Sequence, residues 1–203
     1  MSTHQRSVLD VSGLPTVPFG KRSLLWWGTL GFVVIEGFTL LLMVASYFYL
    51  RTNEFDWPPG RTPNPDLLIP TINTVLLLLV MVPMYLAGKA AKRMERAPVA
   101  RWLLVAAAMT IPVNVLRWFE LLALNARWDA HAYASAAWGV VVLHTTLTVV
   151  DLFETGTLGV LFLTGRARRK HYPDAADAAD YQYFLSLAWV PLYFIIYWMP
   201  RLL

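Results

Sequence analysis

Five long, mostly apolar runs, separated by short charged breaks, decide what this chain can fold into. A helix of about 20 apolar residues spans the roughly 30 Å hydrocarbon core of a bilayer, and each run reaches that length. Hydrophobic residues make up 57% of the sequence and charged residues 15%, against about 25% charged in soluble domains. The expected fold is therefore all-α, a polytopic bundle of five transmembrane helices over residues 24–203. A polar, flexible tail is expected over residues 1–23.

The runs predict helices over 24–50, 67–92, 99–124, 131–164 and 181–198. The first run is nearly twice the 7–15 residues of a signal-peptide core, so it reads as a retained helix. Trp26 and Trp27 mark one membrane interface and Tyr47, Phe48 and Tyr49 the other. Pro70 falls in a first turn, where a missing N–H costs little. Pro83 and Pro112 fall inside helices and predict kinks. At about 1.5 Å per residue the fourth helix exceeds the bilayer and must tilt or project. The stretch DAADAAD, residues 174–180, is read as part of the connection before the last helix.

A pI near 9.5 and a net charge of +4 suggest nucleic acid only in a soluble protein. Here the cations flank apolar runs, as topology signals do. Arg6, Lys21, Arg22, Lys89, Lys92, Arg93, Arg96, Arg101, Arg166, Arg168, Arg169 and Lys170 fall on one side. Arg51, Arg61, Arg127 and Arg201 fall on the other. The excess of positive charge predicts a cytoplasmic N-terminus and an outside C-terminus.

Charged groups in hydrocarbon cost roughly 2.5–3.5 kcal/mol each on insertion scales, so each needs a reason. Glu36 lies mid-helix in GFVVIEGFTLLL, either as a hydrogen-bonded carboxyl that locks packing or as a proton-active or lipid-facing one. Arg117 and Glu120 are three apart, on one helical face, and read as a structural ion pair. His144, Thr148, Asp151 and Glu154 form a polar stripe on the fourth helix. One imidazole with widely spaced acids is a poor metal set, and a hydrogen-bonded network joining helices is the better reading.

Cysteine is absent from the sequence, which excludes thiolate-ligated clusters and mixed His/Cys copper centres. Of His4, His131, His144 and His171, only His144 falls at membrane depth. Two imidazoles on one haem therefore cannot come from this chain alone. Neither a nucleophilic triad nor a phosphate-cradling Gly-rich loop is visible. No catalytic, cofactor or metal residue is assigned, and the chain reads as a scaffold.

Several motifs, in order along nearly the whole chain, then fit one family. They are WWGTLGFVVIEGF, WPPG followed by PTINT, RWFEL, LHTTLTVVDLFET and YQYFLSLAWVPLYFIIYW. Together they resemble the haem–copper oxidase (cytochrome c oxidase) subunit III family, in its short five-helix bacterial form. Pro70, Asn73 and Thr74 match the family's P-x-x-N-T, which adds Asn73 to the polar candidates. RWFEL resembles Q-x-x-E-Y with Arg117 in place of glutamine. The closing helix resembles Y-W-H-F-V-D-x-x-W, with Tyr183 and Ser186 at the usual His and Asp positions. Leu147 stands where a second histidine follows His144.

The resemblance implies a seven-helix plan without its first two helices. It also implies a non-catalytic accessory subunit that packs on subunit I, alongside subunit II, in the bacterial cytoplasmic (inner) membrane. Haem and copper are then expected in the partners, phospholipid beside this chain, and Glu36 near a lipid-filled cleft linked to proton uptake. The whole complex would reduce oxygen and translocate protons in aerobic respiration. Two other readings stay open: an accessory subunit of a nitric oxide reductase, and a small ion-coupled transporter or channel using Glu36 and the His144 stripe.

Overall fold

The computed structural model describes residues 17–60 and 62–202. The expected tail lies, up to residue 16, outside the described residues, as do Arg61 and Leu203. Regular structure among the described residues is helical throughout. After a short 3-10 turn at Gly20–Arg22 come α1 (Leu24–Arg51), α2 (Leu68–Lys92), α3 (Arg96–Leu122), α4 (Ala132–Leu163) and α5 (His171–Tyr193). The line of α5 continues through a π-helical turn at Phe194–Trp198 into a last α-helical turn at Met199–Leu202. All five are long and apolar enough to cross a membrane.

Local chemistry explains where the helices begin and end. Ser23 caps α1, its hydroxyl accepting from the Leu25 N–H at 3.2 Å, which satisfies an otherwise orphan donor. Arg96, the first residue of α3, closes α4 from outside. Its Nε donates to the Phe162 carbonyl at 2.8 Å and its Nη2 to the Leu163 carbonyl at 3.0 Å, two groups the helix itself cannot satisfy.

The clearest departure from expectation is α5, which starts at His171 instead of near residue 181. Alanine is the best helix former, and Ala175, Ala176, Ala178 and Ala179 are buried. The aspartates of DAADAAD do not interrupt the helix. Its alanine face packs against small residues of α2, where a Cβ on Gly88 would lie 3.2 Å from the Ala179 Cβ. Close approach of small residues is how membrane helices gain packing without a hydrophobic driving force.

Four helices form a closed ring: α2 against α3, α3 against α4, α4 against α5 and α5 against α2. Leu77, Met84, Leu103, Val113, Phe162 and Trp189 fill its interior. α1 lies outside the ring, touching α4 and α5. A Cβ on Gly139 would meet the Met43 side chain at 2.6 Å, and one on Gly37 would meet Phe184 at 3.5 Å. Only Leu40 and Tyr47 of α1 are buried. Its outward Phe32, Ile35, Phe38 and Leu42 are exposed, as suits a helix facing lipid.

Candidate functional site: a buried polar knot and a lateral cleft

Arg117 and Glu120 lie one turn apart on α3 and are 1% and 0% exposed. Arg117 Nη1 donates to Glu120 Oε2 at 2.7 Å, and Asn73 Nδ2 on α2 donates to the same oxygen at 2.8 Å. The second arm of the guanidinium reaches α4, with Nη2 3.0 Å from His144 Nδ1. His144 Nε2 lies 3.0 Å from the Leu185 carbonyl on α5. A carbonyl only accepts, so the imidazole proton sits on Nε2 and the Nδ1 lone pair receives the arginine N–H. Both ring nitrogens of the one membrane-depth histidine are thereby committed, and neither is free to ligate a metal.

Trp189 of α5 forms the floor of this knot. Arg117 Cζ stands 3.6 Å above its ring, a cation–π contact strengthened by exclusion of water. Its indole N–H donates to Thr74 Oγ1 at 2.9 Å. Every helix of the ring thus contributes a polar group to one connected cluster. Asn73, Arg117, Glu120 and His144 come together there. Thr74, Trp189 and the Leu185 carbonyl were not legible as members, because their partners lie far away in the chain.

The stripe on α4 does not stay together. At about 100° per residue, a group seven positions on returns close to the starting face, but one ten positions on lies roughly 80° away. His144 joins the knot, and Thr148 donates to Asn114 Oδ1 of α3 at 2.9 Å. Asp151 is buried and its Oδ1 has no hydrogen-bond partner. Glu154, about a quarter-turn round the helix, is exposed. The expected hydrogen-bonded network along the whole stripe is therefore corrected: Asp151 and Glu154 take no part in it.

Glu154 and Glu36 instead share a cleft of about 230 Å³, where the first half of α1 diverges from α4 and α5. Leu25, Phe32 and Val150 give it apolar walls, and Asp177 adds a third carboxylate. Tyr181 Oη donates to Glu36 Oε2 at 2.6 Å. Sequence reasoning missed Tyr181 and Asp177, since both lie in or next to the segment read as a connection. Leu25 also borders an adjoining groove that carries Arg168, Arg169 and Lys170. Among the described residues, no three His, Asp or Glu side chains gather as a metal site.

No family model matches the sequence. Similarity to individual proteins is nevertheless extended. The chain is 26% identical over 187 residues to the cytochrome c oxidase subunit 3 of Synechocystis sp., covering 88% of this chain and 77% of that protein. It is 25% identical over 180 residues to the subunit 3 of Thermostichus vulcanus, covering 86% and 87%. With the subunit 3 of Aedes aegypti it shares 24% over 199 residues, covering 92% and 72%. Three relatives of one kind, matched along most of a five-helix chain, bear out the likeness to the cytochrome c oxidase subunit III family that its motifs carry.

Proposed function

We propose that this chain is the accessory, non-catalytic subunit of a haem–copper oxidase of the cytochrome c oxidase type. The observation that carries the reading is the match to cytochrome c oxidase subunit 3 along 88% of the chain. His144 is consistent with it, because both its ring nitrogens are held within the chain, by Arg117 and by the Leu185 carbonyl. Haem and copper then belong to partner subunits, with subunit I as the direct neighbour and subunit II in the same complex. The setting is the bacterial inner membrane, with residues 1–23 as a cytoplasmic tail and the C-terminus outside.

Within that assembly the ring α2–α5 acts as a rigid buttress for subunit I. The cleft behind α1 holds a phospholipid chain, for which Leu25, Phe32 and Val150 supply the apolar walls. The Glu36 carboxyl supports proton delivery to the partner. Gentle affinity purification tests the assignment. Mass spectrometry should find subunits I and II with this chain, and a reduced-minus-oxidised spectrum should show haem that disappears when they are stripped away. A chain that purifies alone and moves ions in vesicles sinks the proposal.

A further inference from the structure

At the start of α4 a single imidazole holds two segments of chain together. His131 is the N-cap of the helix, and its Nδ1 lies 3.1 Å from the Ala134 N–H. That N–H belongs to the first turn, where no carbonyl of the helix can reach it. On the other side of the ring, Nε2 lies 2.9 Å from Thr62 Oγ1 in the α1–α2 connection. The Thr62 hydroxyl donates in turn to the Pro59 carbonyl at 2.8 Å.

These contacts fix where the ring proton sits. A backbone N–H only donates, so Nδ1 carries the lone pair and Nε2 the proton. Thr62 has given its own proton to Pro59, so its oxygen accepts from Nε2. The fold therefore uses the neutral imidazole at both nitrogens. A second ring proton would go to Nδ1 and face the Ala134 N–H, donor against donor. It would also set a positive charge at a helix N-terminus, against the dipole. The ring is rigid, so turning Nδ1 away from Ala134 also takes Nε2 from Thr62.

His131 is half-buried, so protons reach it from solution. Its surroundings do little to hold a second one. Arg127 and Asp129 of the α3–α4 connection are bonded to each other at 2.9 Å. Glu54 and Asp56 of the α1–α2 connection are exposed, and Arg61 adjoins Thr62 in the chain. The Tyr133 ring lies 5.8 Å from the imidazole, centroid to centroid. Arg51 and Arg201 face the phenols of Tyr47 and Tyr133. Both ring nitrogens of His131 are taken by uncharged groups.

We propose that His131 is a proton-operated latch. Neutral, it caps α4 and ties the α1–α2 connection to it; doubly protonated, it releases both. The latch is closed at higher pH and opens as pH falls. It needs no residue of the polar knot or of the cleft.

The test is hydrogen–deuterium exchange with mass spectrometry on the intact complex in which the chain purifies. The amides of residues 134 and 62 are read at about pH 8 and about pH 5, the range over which imidazoles ordinarily change charge. Each rate is corrected for the intrinsic effect of pH with an unstructured peptide. Protection of the Ala134 amide should fall about fivefold at the lower pH, the worth of one N-cap, and protection at residue 62 should fall with it. In His131→Asn, which caps a helix without titrating in this range, neither amide should respond to pH. Thr62→Val keeps the Nδ1 cap, so the response should persist at Ala134 and vanish at residue 62. Equal Ala134 protection at both pH values, or a response that survives His131→Asn, overturns the latch. A response at Ala134 with none at residue 62 in the unmodified chain overturns the tie to the connection.

Discussion

Arg117 is a cation with no water to turn to, so its neighbours carry its whole electrostatic burden. Removing one member of a buried pair leaves the other charge uncompensated and typically costs about 3–5 kcal/mol. Glu120→Ala is therefore expected to lower the yield and the Tm of the assembled complex sharply, with Glu120→Gln milder because an amide oxygen still accepts. Unchanged yield and Tm in Glu120→Ala would show that the pair is not structural. Glu36 makes the opposite forecast. Its carboxyl lies in a cleft away from the knot, so Glu36→Gln should assemble and begin turnover normally, then lose activity sooner during prolonged oxygen consumption. An assembled Glu36→Gln enzyme with no oxygen consumption at all contradicts that role. At this scale the sequence revealed pairs close in the chain and hid distant ones. Arg117 and Glu120 are three apart, whereas Asn73 and Glu120 are 47 apart and Thr74 and Trp189 are 115 apart. Helical spacing speaks only to the first kind.

Between elements, small residues decide how closely helices approach. A Cβ on Gly159 of α4 would fall 2.9 Å from Leu104 Cδ2 and 3.3 Å from the Leu104 backbone nitrogen of α3. The backbone atom cannot swing aside, so Gly159→Val should destabilise the α3–α4 contact by about 1–3 kcal/mol, read as a lower Tm of the complex. α1 is held differently. Among the described residues, Tyr181 to Glu36 is its one side-chain hydrogen bond to another helix. Tyr181→Phe should weaken the attachment by about 1 kcal/mol and widen the cleft. With no native cysteine, a single Cys at Ala178, which lines the cleft and is buried, gives a clean readout, and faster labelling by a lipid-soluble maleimide is the expected result. Hydropathy located all five spans, but it missed the first ten residues of α5. Averaging charge over a window cannot register that Asp174, Asp177 and Asp180 border three separate grooves while the alanines between them face inward.

Taken whole, the molecule is a closed four-helix ring with a fifth helix leaning on it, and the two parts meet different demands. The ring excludes water and lipid from the Arg117 knot. The leaning helix leaves a lateral opening toward the bilayer. Fold class was legible in the sequence because bilayer thickness fixes helix length, whatever the partners. How the helices divide into ring and outlier was not, since lipid-facing and protein-facing apolar residues look alike in composition. Leu40 is buried and Leu41 beside it is exposed, with nothing in the letters to tell them apart. The distribution of basic residues makes a forecast at the same scale. Reporter fusions should place the N-terminus in the cytoplasm and the C-terminus outside, and the reverse result would mean the arginine and lysine clusters do not set the topology.

The bond between Tyr181 and Glu36 joins residues 145 positions apart, and that separation has a consequence in time. A ribosome delivers α1 to the membrane first, while the helices it rests on, α4 and α5, are made last. Until the fifth span arrives, the Glu36 carboxyl has no phenol to hold it. Any chain that stops short carries an unclaimed acid in lipid, a mark by which membrane quality-control proteases can recognise an unfinished subunit before it reaches its complex.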